Sequence, residues 1–151
     1  CSADVFLNLS GGVGGEILLR FGQAMQQELH QFLVTSGRKH VVRGTVVTTA
    51  PHGLPFKAVI HAVALDGFYK SSPEVIEQVV GDVLERAATL GARRVALTAL
   101  ATGFGRLSMR DFARGIRPLL GRNFGPIEET VICVRHDADR IELALEIAPT
   151  S

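Results

Sequence analysis

Apolar residues follow two different spacings along the first part of the chain. Residues 5–9 (Val-Phe-Leu-Asn-Leu) are almost continuously apolar, which predicts a short buried strand. Apolar side chains then recur at intervals of three and four between Leu18 and Phe32, as on one face of a helix. The pattern predicts one long helix that starts near Glu16 and ends at Gly37, since glycine commonly terminates helices.

Four further strand-like runs follow. Residues 44–50 and 57–65 are rich in Val, Ile and Thr, and a turn-rich connection separates them, so we expect two consecutive strands. Residues 94–100 and 130–134 predict two more strands. Two successive strands without a helix between them predict a mixed sheet rather than a purely parallel one.

Capping residues mark the later helices. Ser72, followed by Pro and Glu, has the chemistry of a helix start, and Ser108 begins a capping box. Pro118 is expected to distort the second of these helices. Residues 141–147 fit both a strand and a helix, and Asp137 as a cap favours the helix. The order of elements predicts an α/β fold with helices on both faces of the sheet and a ligand site beyond its strand ends.

Length and composition fit a single domain over residues 1–151. The chain has 151 residues, of which 46% are hydrophobic and 21% charged, as is ordinary for a compact globular domain. A formal net charge of +1 argues against sequence-independent nucleic-acid binding. No apolar stretch reaches the ~18 residues of a membrane span, and the N-terminus lacks a signal-peptide pattern, so we expect a cytoplasmic protein.

Cysteine usage points to no special chemistry. Cys1 and Cys133 are too few for a disulfide framework, and no Cys/His spacing of a metal site accompanies them. Cys133 lies within Val-Ile-Cys-Val, which predicts a core position. Nothing in the sequence indicates a metal or a cofactor.

Two glycine-rich segments carry the strongest functional signal. The first glycine loop, residues 11–15 (Gly-Gly-Val-Gly-Gly), lies between a predicted strand and a predicted helix, where free amides at a helix start favour phosphate. It matches neither the Walker loop nor the dinucleotide fingerprint. The second glycine loop, residues 101–106 (Ala-Thr-Gly-Phe-Gly-Arg), also follows a strand and precedes a helix. Two such loops at neighbouring strand ends predict one crevice for a ligand with two linked phosphates, in preference to two structural turns.

Four segments in this order resemble the macro domain family. The similar segments are residues 4–8 (Asp-Val-Phe-Leu-Asn), 11–13 (Gly-Gly-Val), 54–61 (Leu-Pro-Phe-Lys-Ala-Val-Ile-His) and 101–105 (Ala-Thr-Gly-Phe-Gly). The resemblance implies a three-layer α/β/α sandwich with a mixed central sheet, here without the family's first strand. It also implies binding of ADP-ribose or of an ADP-ribosylated protein. The ligand-binding residues that it implies are Asn8, Gly11, Gly12, Val13, Gly14, Ala101, Thr102, Gly103, Phe104 and Gly105, with Asn8 and Phe104 near the distal ribose.

Departures from the family pattern leave three functions open. Members that hydrolyse ADP-ribosyl esters usually carry an asparagine and an acid where this chain has Gly11 and Gly14, and helical geometry turns Glu16 away from the position of that acid. The binding of ADP-ribose therefore comes first. The second hypothesis is a hydrolase of ADP-ribosyl groups or of O-acetyl-ADP-ribose that uses Asn8. The third is a structural module that binds no ligand, like the N-terminal domain of leucine aminopeptidases.

Histidines outside the loops are expected to be mainly structural. His61 lies inside an apolar strand, which favours a packed, hydrogen-bonded core residue over a catalytic base. His52 lies in a turn and is expected to face solvent. Arg135 and His136 follow the last strand, where they fit either the base-binding half of the cleft or an ordinary exposed loop.

Two further groups have alternative readings. Phe68 and Tyr69 follow the His61 strand, where they either stack on a base or pack against a neighbouring helix. Arg110, Arg114 and Arg117 recur at helical spacing, which favours a solvated basic face over a track for a phosphate polymer.

Overall fold

Five helices and four strands make up the described part of the chain. The structure, a computed structural model, describes residues 1–148, so residues 149–151 of the predicted domain lie outside it. The elements are α1 (Gly12–Phe21), α2 (Ala24–Thr35), β1 (Val46–Thr49), β2 (Val59–Ala62), α3 (Pro73–Thr89), β3 (Arg94–Thr98), α4 (Met109–Ile116), β4 (Glu129–Cys133) and α5 (Asp137–Ile147). None of the helices in residues 1–148 has both the length and the apolar content needed to cross a membrane.

The later helices begin where their caps predict. The Ser72 hydroxyl accepts a hydrogen bond from the N–H of Val75 at 3.4 Å, and α3 starts directly after it. The Ser108 hydroxyl accepts from the N–H of Asp111 at 3.0 Å and donates to its carboxylate at 2.8 Å, which starts α4. A 3-10 turn follows α4 at the predicted Pro118 distortion. The tail is helical as predicted, but the prediction of Asp137 as its cap is wrong. Asp137 is the first residue of α5, His136 holds the capping position, and no side chain caps the helix.

Side chains of β2 and of the two residues after it, Val63 and Ala64, alternate between two hydrophobic clusters. Val59 and Val63 pack in a cluster with α1 and α2, whereas Ala62 and Ala64 pack in a cluster with α3 and α4 around the fully buried Phe112. Successive strand residues point to opposite faces, so helices cover both faces here. The predicted α/β fold class is confirmed.

Strand pairing is both antiparallel and parallel, but it is divided between two ladders. β1 and β2 pair antiparallel, with Val46 opposite Ala62. β3 and β4 pair parallel, with Ala96 opposite Val131. Within residues 1–148 no strand joins the two ladders into the single mixed sheet that the sequence predicted.

The prediction of a strand at residues 5–9 is wrong, because Asp4 turns the chain. Its carboxylate accepts hydrogen bonds from the N–H groups of Phe6 at 2.9 Å and Asn8 at 2.8 Å. Leu7 lies in the left-handed region with φ 57°. An aspartate that bonds to the backbone two residues on competes with extended structure.

A side chain of α2 replaces the missing strand partner. The Gln26 amide donates to the Leu7 carbonyl at 2.8 Å and accepts from the Leu9 N–H at 2.7 Å. Strand-like pairing occurs earlier instead, where Ser2 forms an isolated parallel bridge with Ala62. The backbone groups of a buried segment must find partners, and here an amide side chain supplies them.

The prediction of one helix from Glu16 to Gly37 is also wrong, since two helices cover this stretch. Gly22 has φ 76°, outside the helical region, and it separates α1 from α2. Met25 and Leu29 are nevertheless buried, at 1% and 0% exposure, as the apolar spacing predicted. The break allows α1 to begin earlier, at Gly12, within the first glycine loop.

Candidate ligand-binding cleft

Both glycine loops line one cleft of about 950 Å³. This volume lies within the range of about 300–1,000 Å³ typical of small-molecule sites. The cleft brings together all ten residues that the sequence assigned to a ligand site, namely Asn8, Gly11, Gly12, Val13, Gly14, Ala101, Thr102, Gly103, Phe104 and Gly105. The predicted convergence of the two loops is therefore observed.

The first glycine loop opens directly into α1. Gly11 holds the capping position with φ 69° and ψ 168°, and no side chain caps the helix. The first N–H groups of a helix have no acceptor within it and lie at the positive end of its dipole. Gly14 packs on the backbone of Leu9, and a Cβ there would lie 3.1 Å from the Leu9 Cα. The loop thus has glycine at four of its five positions, and no side chain caps the helix that it starts.

The second glycine loop is a tight turn. The N–H of Leu107 donates to the Ala101 carbonyl at 3.1 Å, and Ala101 itself has φ 64°. A Cβ on Gly105 would lie 2.4 Å from Leu65 Cδ2 and 2.6 Å from the Ala101 carbonyl oxygen. A side chain at this position would collide with both groups, so only glycine fits this turn.

The two glycine loops touch each other through Phe104. A Cβ on Gly11 would lie 2.4 Å from Cε2 of the Phe104 ring, which is itself 71% exposed. The ring therefore stands against the backbone of the first loop and forms a wall at the edge of the cleft.

Asn8 is held from both ends of its amide. Its Nδ2 donates to the Asp4 carboxylate at 3.1 Å, and its Oδ1 lies 3.1 Å from Nε2 of His30. A carboxylate only accepts, so Asp4 fixes which end of the amide is nitrogen, and His30 must then donate. The second N–H of Nδ2 remains for another acceptor, and Asn8 lines the cleft.

An ion pair on α1, which the sequence reasoning missed, borders the same cleft. Glu16 and Arg20 both line it, and their side chains meet at 2.9 Å. A helix that starts at Gly12 places Val13, Glu16 and Arg20 on one face, because residues three and four apart are neighbours. The predicted helix start near Glu16 already placed Glu16 and Arg20 on one face, so this signal was present in the sequence. Only the alignment of the pair with Val13 depends on the earlier start at Gly12.

A family comparison agrees with this geometry. A family model described as the macro domain matches residues 2–116. The chain belongs to the macro domain family.

Relatives and solved structures resemble this macro domain over most of its length. An uncharacterised protein of Mycobacterium tuberculosis is 29% identical over 138 residues, which cover 91% of this chain and 37% of that protein. An uncharacterised protein of Pyrobaculum aerophilum is 36% identical over 107 residues, which cover 68% of this chain and 54% of that protein. A Trypanosoma brucei macrodomain solved in complex with ADP-ribose has a TM-score of 0.76 at 18% identity, covering 97% of this chain and 61% of that one. The chain thus spans about a third of the first relative and half of the second.

The loop after β4 lines another part of the macro domain cleft. Arg135 and His136 of this loop line the cleft, which agrees with one of their two predicted placements, and Asp139 in the first turn of α5 lines it too. Cys133 is exposed and lines the cleft, so the prediction of a core position is wrong. In the parallel ladder Cys133 shares a face with Val131, which is 43% exposed.

The two histidines of the hairpin lie outside the cleft. His61 is fully buried, its Nε2 lies 2.9 Å from the Thr49 hydroxyl, and burial lowers its pKa to about 3, which confirms a core role. His52 does not face solvent as expected. It is half-buried, and its Nε2 lies 2.5 Å from a carboxylate oxygen of Glu28 on α2, which ties the hairpin turn to that helix.

The remaining predicted groups are exposed. Phe68 and Tyr69 are 84% and 55% exposed, so the alternative of packing against a helix is wrong. Arg110, Arg114 and Arg117 form the expected solvated face. The hydrogen bond and ion pair between Arg110 and Glu146, at 2.8 Å, raise the pKa of that guanidinium.

Proposed function

We propose that this macro domain binds ADP-ribose, or a related nucleotide diphosphate ribose, in the cleft between its glycine loops. The contact of Phe104 with Gly11 carries the proposal, because it shows two amide-rich turns closing on one space. The T. brucei macrodomain, which shares the fold, was solved in complex with ADP-ribose.

The diphosphate lies between the loops in this proposal. The uncapped N–H groups at the start of α1 face one phosphate, since a helix N-terminus favours an anion. The distal ribose lies beside Asn8 and Phe104, where the free N–H of the Asn8 amide donates to a hydroxyl. Asp4 and His30 hold that amide in position beforehand, which lowers the entropy lost on binding.

The base lies at the part of the cleft lined by Arg135, His136 and Asp139. The Asp139 carboxylate is half-buried and only accepts hydrogen bonds, so it suits the exocyclic amino group of adenine. Arg135 and His136 offer planar groups that stack on a base.

Calorimetric titration with ADP-ribose, alongside AMP, ADP and NAD, tests the proposal. Gly103 lines the cleft and a Cβ there meets no atom within 4 Å, so Gly103→Glu should fold and place a carboxylate beside the diphosphate. Two negative charges brought together across a binding site repel each other by several kcal/mol. The affinity for ADP-ribose should therefore fall by about a hundredfold or more.

A matched control distinguishes this loss from a general effect. Gly67 also lies in a loop with open space around it, yet it lines no part of the cleft. Gly67→Glu should keep the affinity of the wild type. Selective binding by the wild type that Gly103→Glu leaves unchanged would rule out the cleft as the site.

A further inference from the structure

A second depression adjoins the cleft. This aromatic groove, of about 670 Å³, is lined among others by Phe68, Tyr69, Phe104, Lys70, Arg106 and Asp111. Tyr69 and Phe104 also line the cleft, so the two depressions share a wall. A group that extends from a ligand in the cleft past Phe104 enters the aromatic groove.

The aromatic side chains of this groove are exposed, and two of them are more exposed than any other aromatic residue that the structure describes. Phe68 is 84%, Phe104 71% and Tyr69 55% exposed, in a chain with only eight Phe and one Tyr. Scattered apolar residues on a surface are ordinary, but a contiguous exposed patch marks an interaction site. Three rings around one groove form such a patch.

Several hydrogen bonds tie down the backbone of the loop that presents two of these rings. The Asp66 carboxylate accepts hydrogen bonds from the N–H groups of Phe68 and Lys70, both at 2.9 Å, and these bonds, the one from Lys70 above all, lower its pKa. Tyr69 has φ 60°, a strained conformation for a residue of its size. Arg43 donates to the Lys70 carbonyl at 3.2 Å. The backbone that carries the two rings thus has a defined conformation, which places both side chains at the groove.

The groove also carries positive charge. No ion pair within residues 1–148 involves Lys70 or Arg106. The nearby Asp111 carboxylate is already engaged by the Ser108 hydroxyl and by Arg114. Exposed rings beside two such cations have the composition of protein interface centres, where aromatic residues and arginine are enriched.

We propose that the aromatic groove binds the polypeptide segment next to an ADP-ribosylated side chain, with an acidic residue of that segment facing Lys70 and Arg106. The proposal rests on the proposed function, which puts the distal ribose beside Phe104, the shared wall. A polypeptide fits better than nucleic acid, because a nucleic-acid strand relies on several phosphate contacts. This groove offers two cations in a chain of net charge +1.

A comparison of the affinities for two ligands tests the inference. Affinities are measured for free ADP-ribose and for an ADP-ribosylated peptide with glutamate and leucine beside the modified residue. The wild type should bind the modified peptide about tenfold more tightly than free ADP-ribose, as one interface aromatic residue can provide. Phe68→Ala and Lys70→Gln should each remove most of this preference and leave the affinity for free ADP-ribose unchanged, since neither residue lines the cleft.

Phe56→Ala is the matched control. Phe56 is 55% exposed but borders neither the cleft nor the aromatic groove, so its loss should leave both affinities unchanged. Equal affinities of the wild type for peptide and free ADP-ribose would overturn the inference while the cleft proposal stands. A larger preference for an ADP-ribosylated oligonucleotide would reassign the groove to nucleic acid. No binding of any of these ligands would overturn both proposals.

Discussion

Acid should destabilise the domain through His61, because burial disfavours the protonated form of this side chain. The ring is fully buried, Nε2 lies against Thr49, and Nδ1 has no partner among the described residues. Protonation would leave a buried charge with an unpaired N–H. Burial accordingly lowers the pKa of His61 from 6.5 to about 3.

The sign and size of the effect follow from proton linkage. Between pH 6.5 and pH 3 the unfolded chain binds a proton at this histidine that the folded chain does not bind, so stability falls as the pH falls. Each pH unit below the unfolded pKa removes about 1.4 kcal/mol. At about pH 4.5 the free energy of unfolding is therefore lower by about 2–3 kcal/mol. This value holds for any folded-state pKa of His61 that lies below pH 4.5.

Urea unfolding near pH 7 and near pH 4.5 measures this loss. A double variant, Thr49→Val with His61→Leu, removes both hydrogen-bonding partners together and leaves every other titrating group in place. The wild type should lose about 2–3 kcal/mol more than the double variant between these two pH values. Equal losses in the two proteins would show that His61 takes up no proton on unfolding and would refute the reasoning.

Two further predictions concern packing and backbone partners. A Cβ at Gly115 would lie 2.6 Å from the Ile76 Cβ, so Gly115→Ala should destabilise the domain by about 1–3 kcal/mol in urea unfolding. Gly81→Ala, where the nearest atom is 3.7 Å away, should be neutral or stabilising, and the opposite ranking would contradict the packing described between α3 and α4. Gln26→Leu should cost about 1–3 kcal/mol, because it leaves a buried carbonyl and N–H without partners. The same change at the exposed neighbour Gln27 should have little effect on the denaturation midpoint.

Local signals predicted much of the fold and the convergence of the glycine loops. Ser72 and Ser108 mark helix starts because their hydroxyls satisfy backbone N–H groups only a few residues away. Both loops were placed in one cleft on the premise that each follows a strand of one sheet. That premise holds for the second loop, which follows β3, and fails for the first, because residues 5–9 form no strand.

Partners distant in the sequence were not predictable from local pattern. Residues 5–9 have the composition of a strand, yet Gln26 supplies the partners of their backbone from a helix that the sequence reasoning had placed wrongly. Apolar periodicity shows which residues share a face but not whether anything covers that face. Cys133 therefore looked buried, although it is exposed on β4.

Gly11 should be retained among natural relatives of this chain, whatever residue stands at position 104. Its φ of 69° and ψ of 168° belong to a region that essentially only glycine adopts, and the Phe104 ring also stands where the first side-chain carbon of residue 11 would be. A smaller side chain at position 104 would remove the second restriction but not the first. Variation in side-chain size at this edge of the cleft should therefore arise at position 104, which makes the width of the cleft entrance an inherited property of the second glycine loop.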